Sequence, residues 1–177
     1  MNMARMIFKP VTVGTWKDLE SLFESRGSPH HCWCMTWRPK VKNADKAWKK
    51  NYMKTRVENG VPVGLLGYSG EVPVAWCSVA PRETYRNLGG THTDGPTWSL
   101  ACFFVKKEFR GMGFTRKLIN EAKKYARENG ARYLEAYPVS PESPSYRFMG
   151  FVQVFEELGF RYIKMAGTKR HVMMAGL

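Results

Sequence analysis

Apolar positions along this chain keep two periods, and the changes between them mark the elements. Residues 6–11 read as a short strand. Thr15 is then the predicted N-cap of a helix running to residue 25, with Asp18 three positions on as its capping-box partner. Residues 26–42 keep no period and gather aromatic and cysteine side chains. Helical spacing returns at Ala44, Ala47, Trp48, Tyr52 and Val57, with Asn43 as the cap and Gly60 as the stop.

Strands follow. Residues 61–68 and 72–80 flank a predicted hairpin turn at Ser69-Gly70. A polar loop fills residues 81–97, broken by Gly89-Gly90 and Gly95-Pro96. Residues 98–105 are almost wholly apolar, as in a strand buried on both faces. Phe114, Leu118, Ala122, Tyr125 and Ala126 form a helical stripe that Gly130 ends. Residues 132–139 alternate as a strand, 151–158 form a short helix broken at Gly159, and 160–164 and 171–174 are the last strands. The order predicts an α/β domain with a mixed sheet.

The length of 177 residues fits a single domain, with residues 1–60 giving the first strand and two helices and 61–177 the sheet. A hydrophobic share of 44% fills one core and excludes a largely disordered chain. Lys and Arg number 28 against 15 Asp and Glu, a formal charge of +13. That excess suits an anionic partner such as a nucleic acid, an acidic membrane surface or a phosphate-rich cofactor. The basic residues are scattered through helices rather than banded with aromatics, so no nucleic-acid partner is expected. The longest apolar runs fall far short of a membrane span, and residues 1–10 hold no apolar stretch of signal length. With four cysteines, the expectation is a cytoplasmic protein with reduced thiols and no membrane partner. A homodimer stays open.

The chemistry concentrates in Cys102-Phe103-Phe104-Val105-Lys106-Lys107-Glu108-Phe109-Arg110-Gly111-Met112-Gly113-Phe114-Thr115. A buried strand ends there, a basic turn with glycines follows, and an amphipathic helix begins. Glycines at a helix start let backbone N–H groups face a bound anion, and the helix dipole adds to the attraction. Arg110, Arg116 and Lys117 supply side-chain charge. Taken alone, Gly111 and Gly113 are equally a bare strand-to-helix turn. The spacing is neither that of a Walker loop nor that of a dinucleotide fingerprint.

Arg110, Gly113 and Thr115 after the apolar strand resemble the acetyl-CoA-binding motif of the GNAT superfamily of N-acetyltransferases, Gln/Arg-x-x-Gly-x-Gly/Ala. Phe155-Glu156-Glu157-Leu158-Gly159-Phe160 resembles that family's second landmark, a short helix with a Leu-Gly-Phe turn before a strand. The resemblance covers residues 61–174. It implies a mixed, mostly antiparallel twisted sheet with splayed central parallel strands, flanked by about four helices. It further implies acetyl-CoA as co-substrate, with the pantetheine arm between the splayed strands. Backbone groups of Phe103, Phe104 and Val105 would pair with that arm. The turn of Arg110, Gly111, Met112, Gly113, Phe114, Thr115 and Arg116 would hold the pyrophosphate.

Acetyl transfer to an amine needs a neutral nucleophile, a polarised carbonyl and a proton for the departing thiolate. Glu135, mid-strand between Tyr133 and Tyr137, is the leading base, and equally a salt-bridged sheet residue. Glu83 is the alternative base, or plain solvent-exposed polarity. The family often carries a tyrosine where this chain has Phe155, which donates no proton; Tyr146 or Tyr137 is the substitute acid or a packed aromatic.

His30-His31-Cys32-Trp33-Cys34 invites a zinc reading, but Cys-x-Cys is too tight for a knuckle and no second pair follows, so no metal is expected. Trp33, Trp37 and Arg38, with Tyr137, form either a wall for the acceptor or plain core. Cys77 and Cys102 read as buried packing residues. The leading function is transfer of an acetyl group from acetyl-CoA to a primary amine of a small molecule, an antibiotic or a metabolite. The alternatives are a non-catalytic acyl-CoA-binding module and, behind it, a protein or peptide N-acetyltransferase.

Overall fold

The computed structural model describes residues 5–39 and 41–177. Its sheet is built from β1 (Met6–Pro10), β2 (Leu65–Ser69), β3 (Val72–Pro81), β4 (Thr97–Val105), β5 (Tyr133–Ala136), β6 (Arg161–Ala166) and β7 (Arg170–Gly176). The spatial order is β1-β2-β3-β4-β5-β7-β6, and every neighbouring pair is antiparallel except β4 with β5. The helices are α1 (Trp16–Glu24), α2 (Lys46–Glu58), α3 (Phe114–Glu128) and α4 (Val152–Glu157). β1 pairs with β2, so the N-terminal third belongs to the same sheet as the rest.

The α3 stripe works as its spacing predicts. Leu118, Ile119, Ala122 and Ala126 are buried against Leu100 and Leu134 of the central strands. Burying the Leu118 or Ile119 side chain stabilises by roughly 2 kcal/mol, and each alanine methyl by less. On a second cluster, Leu19, Leu22 and Phe23 of α1 pack with Trp33, Leu66 and Trp76.

Local chemistry differs from the sequence reading at several ends. Thr15 stands at the N-cap of α1 as predicted, but its hydroxyl makes no capping bond into the helix; it accepts from the Thr12 N–H at 2.9 Å and donates to the Pro10 carbonyl at 2.9 Å, closing the turn before the helix. Asp18 accepts from the Tyr68 hydroxyl at 2.8 Å instead of completing a capping box. Asp45 rather than Asn43 caps α2, accepting from the Trp48 N–H at 2.7 Å. Ser69 pairs with Val72, which moves the hairpin turn one residue on to Gly70-Glu71. β5 is shorter than predicted because the chain turns away from β4 after Ala136.

That departure creates the site. The last β4–β5 partners are Leu100 and Ala136, yet β4 continues to Val105. On its other side, β4 pairs Leu100 with Val79 and Cys102 with Ser78, so Ala101 is an extra, bulged residue. A bulge bends its strand and sharpens the local twist. It falls where the two parallel strands part.

Candidate active site

Past the fork, a cleft of about 830 Å³ runs along the free edge of β4. Phe103, Phe104, Val105, Arg110, Gly111, Gly113, Phe114, Thr115 and Arg116 line one side, with Arg147, Phe148, Phe151 and Val154 opposite. Of the residues predicted for the turn, Met112 alone is missing from this wall; its side chain stands half-exposed.

The floor of the cleft is the start of α3. Gly111 and Gly113 have φ of +76° and +83°, a left-handed backbone that costs a residue with a Cβ about 1 kcal/mol or more. With Gly113 at the N-cap, the first N–H bonded back into the helix is that of Lys117, to the Gly113 carbonyl at 3.1 Å. Among the described residues, no backbone acceptor takes the N–H groups of Gly113, Phe114, Thr115 or Arg116. Those donors and the helix dipole fit a pyrophosphate. Arg110 meanwhile donates from Nε to the Val105 carbonyl at 3.1 Å, and Arg116 pairs with Glu157. Both side chains are tied to the two rims of the cleft.

A second cavity, of about 210 Å³, also borders β4. Its wall comes from Gly27, Ser28, Pro29, Cys32, Cys34, Thr36 and Trp37 of the aperiodic segment, with Ser78 of β3, Cys102, Phe103 and Phe104 of β4, and Phe148. Phe103, Phe104 and Phe148 line both spaces. The two spaces therefore adjoin at these phenylalanines.

Residues 16–160 match the model of the acetyltransferase (GNAT) family. The chain belongs to that family. It is an acyltransferase, with the GNAT-like sheet and four helices just described. Solved structures of the same fold include yncA of Salmonella typhimurium with its cofactor acetyl-CoA, at 17% identity and TM-score 0.59, covering 97% of this chain and 94% of that one. The ribosomal-protein-alanine N-acetyltransferase of Brucella melitensis aligns at 18% identity and TM-score 0.59, covering 97% and 99%. AAC(6')-Iy, solved with the bisubstrate analogue CoA-S-monomethyl-acetylneamine, aligns at 17% and 0.60, covering 89% and 92%. A comparison with curated proteins finds no match. One neighbour is named for a protein acceptor and another is bound to a bisubstrate analogue, at nearly equal similarity.

In this acetyltransferase the predicted catalytic carboxylates stand apart from both spaces. Glu135 is fully buried; Oε1 accepts from the Thr91 N–H at 2.8 Å, and Oε2 from the Tyr137 hydroxyl at 2.7 Å and from Arg82 at 3.4 Å. It lines neither the cleft nor the cavity. Tyr137 also bonds Ser99 at 2.9 Å, and burial, ahead of the Glu135 charge, pushes its phenol well above the ordinary value. Glu83 borders a separate recess beside Asn129 and Gly130, at the opposite end of α3 from Gly113. A helix of that length spans about 22 Å, too far for a base.

Of the expected acceptor wall, only Trp37 reaches the cavity. Trp33 is core, stacked on Trp16 at 5.9 Å between ring centroids and packed on Phe23 at 5.2 Å. Arg38 is fully buried one layer back, donating to Ser78 Oγ and the Val63 carbonyl, each at 3.1 Å. Phe155 is core too, against Phe103 and Phe160. Tyr146 stands partly exposed beside Trp37 and Phe148.

Several lining residues were not predicted. Cys102 is only partly buried and faces the cavity, with its Sγ 3.6 Å from that of Cys34, itself a lining residue. Phe148 follows a polar loop with no periodic signal, although its proximity to the Phe155–Phe160 landmark was a usable hint. No group of three or more His, Cys, Asp or Glu among the described residues is arranged to hold a metal. No described helix is long and apolar enough to cross a membrane.

Proposed function

We propose that this enzyme transfers an acetyl group from acetyl-CoA to a primary amine of a small molecule in one direct step. The observation that carries the reading is the shared partition of Phe103, Phe104 and Phe148 between cleft and cavity. Acetyl-CoA takes the cleft, its pyrophosphate against the start of α3 and its pantetheine along the free edge of β4. The acceptor takes the cavity, whose small volume suits a compact amine better than a folded protein.

The amine nitrogen attacks the thioester carbonyl, the C–S bond breaks, and CoA leaves as thiolate. The cavity wall holds no carboxylate or imidazole. We therefore assign the proton of the amine to solvent, and the rate to alignment of the reactants and backbone donors at the carbonyl oxygen. Glu135 acts as a positioning residue. With Tyr137, Ser99, Arg82 and Thr91 it ties the loop after β3 to the strands just before the fork.

Phe155 and the carboxylate-free wall favour one rival, a non-catalytic acyl-CoA-binding module. Two measurements separate them. Acetyl-CoA at about 100 times its Kd raises stability by about 2.7 kcal/mol under either reading, seen as a higher Tm. Only an enzyme then releases CoA thiol and acetylated product from an amine panel.

A further inference from the structure

Six buried side-chain polar atoms among the described residues lack a hydrogen-bond partner, and all six are N–H donors: Nε1 of Trp33 and Trp37, Nε and one terminal nitrogen of Arg38, and Nε of Arg56 and Arg86. Buried polar groups normally find partners. Apart from Trp33, these donors lie in or around the Trp37-Arg38 corner. The Arg86 N–H bonds the Trp37 carbonyl at 3.0 Å, and its guanidinium lies over the Trp37 ring at 4.9 Å. The Arg170 guanidinium lies over the same ring at 4.6 Å and over Tyr146 at 5.6 Å, donating to the Leu88 carbonyl.

No ion pair among the described residues includes Arg38, Arg56, Arg86 or Arg170. The residues outside the described set, Met1, Asn2, Met3, Ala4 and Lys40, bring no carboxylate side chain. Burial holds Arg56 and Arg170 below the usual guanidinium range, and the charges of Arg38 and Arg86, respectively, add to that. Arg38 is fully buried and Arg56, Arg86 and Arg170 are half-buried, and gathering such cations without a counter-charge is costly unless an anion joins them. Trp37 and Ser78, the latter bonded to Arg38, connect this cluster to the cavity, and Arg86 lines an adjoining recess that shares Cys32 and Thr36 with it.

We propose that the acceptor amine carries an anionic oxygen group, a carboxylate or a phosphate, held by Arg86 and Arg170 beside Trp37. This rests on the reading of the cavity as the acceptor site. The amine end then points toward Phe103 and Phe104. A polycationic acceptor is disfavoured, since no carboxylate lines the cavity to receive its charges.

The test compares thiol release from acetyl-CoA with matched amines: alanine and leucine against their amides, and phosphoethanolamine against ethanolamine. The amides are the less basic amines, so their larger free-amine fraction works against the proposal. The anionic member of a pair is expected to have a kcat/KM about 10- to 100-fold higher, the scale of charged hydrogen bonds. Its identity separates carboxylate from phosphate. Arg86→Gln and Arg170→Gln should each raise KM for the anionic acceptor about tenfold, with kcat and the KM of the neutral partner little changed. Arg127→Gln, exposed on α3, serves as the charge control. Equal or reversed preference, or a KM increase for both partners alike, overturns the proposal.

If acetyl-CoA raises Tm but no amine turns over, the transferase reading fails instead. The anion site is then tested by titrating N-acetylalanine, N-acetylalaninamide and inorganic phosphate calorimetrically. Binding of an anionic probe that weakens in both arginine variants supports the site; no binding, or binding indifferent to them, removes it.

Discussion

The Tyr137 hydroxyl donates to Glu135 Oε2 at 2.7 Å, deep beneath the fork between β4 and β5. That bond, with the Thr91 N–H on Oε1, occupies the carboxylate a base would need free. Glu135→Gln should therefore lower stability, by about 2 to 4 kcal/mol, because an amide cannot accept at both oxygens. Its kcat per folded molecule should fall less than about tenfold. A positioned base is worth about 100- to 10,000-fold, so a loss of that size with Tm unchanged would return Glu135 to the chemistry. Chemical denaturation beside steady-state kinetics separates the outcomes.

Glycine at position 113 tests the pyrophosphate site. Gly113→Asp places a negative carboxylate and a Cβ at a left-handed N-cap, φ +83°. Acetyl-CoA affinity should drop by about 100-fold or more, while Gly113→Ala carries only the backbone strain of about 1 kcal/mol and keeps most of the binding. Calorimetric titration of both variants checks this. Equal affinity in a folded Gly113→Asp protein would remove the helix start from the site.

With no carboxylate or imidazole in the cavity wall, the pH dependence should belong to the acceptor. A protonated amine cannot attack, so kcat/KM should rise by about tenfold per pH unit up to the amine's own pKa and then level. Changing to an amine of different basicity should move that bend by the same amount. Glu83→Gln should leave the profile superimposed, given its place at the far end of α3. A bend fixed in pH across acceptors would point to an enzyme base.

Burial pushes the Cys77 thiol up to about 12 and holds Cys34 well above the ordinary range. At pH 8 the Cys77 thiolate fraction is then about one in ten thousand. Both should resist iodoacetamide in the folded protein and react once it is denatured, as read by mass spectrometry. Rapid native labelling of Cys77 would contradict the packing of β3 under α3.

Much of this was legible in order and period. The strand, the glycine turn and α3 stand out because an apolar run, a φ-permissive corner and a 3.6-residue stripe follow one another without interruption. Other roles depend on distant segments. Trp33 and Trp37 are alike in sequence, yet one meets Trp16 and Phe23 of α1 while the other meets Arg86 and Arg170. Glu135 reads as an alternating strand position. Its burial comes from the loop around Gly90, where a Cβ would collide with the carboxylate. Cys102 reads as core, but the bulge at Ala101 bends β4 beside it, and it borders the cavity.

The central claim is that the two spaces meeting at Phe103, Phe104 and Phe148 are the donor and acceptor halves of one transfer site. It is tested most directly by incubating the protein with acetyl-CoA and a panel of small amines, then following CoA thiol and acetylated amine together by mass spectrometry. The account predicts both products in equal amounts, above the uncatalysed background, and their loss in Gly113→Asp. Binding of acetyl-CoA with no acetylated amine from any acceptor class would contradict it and leave an acyl-CoA-binding module.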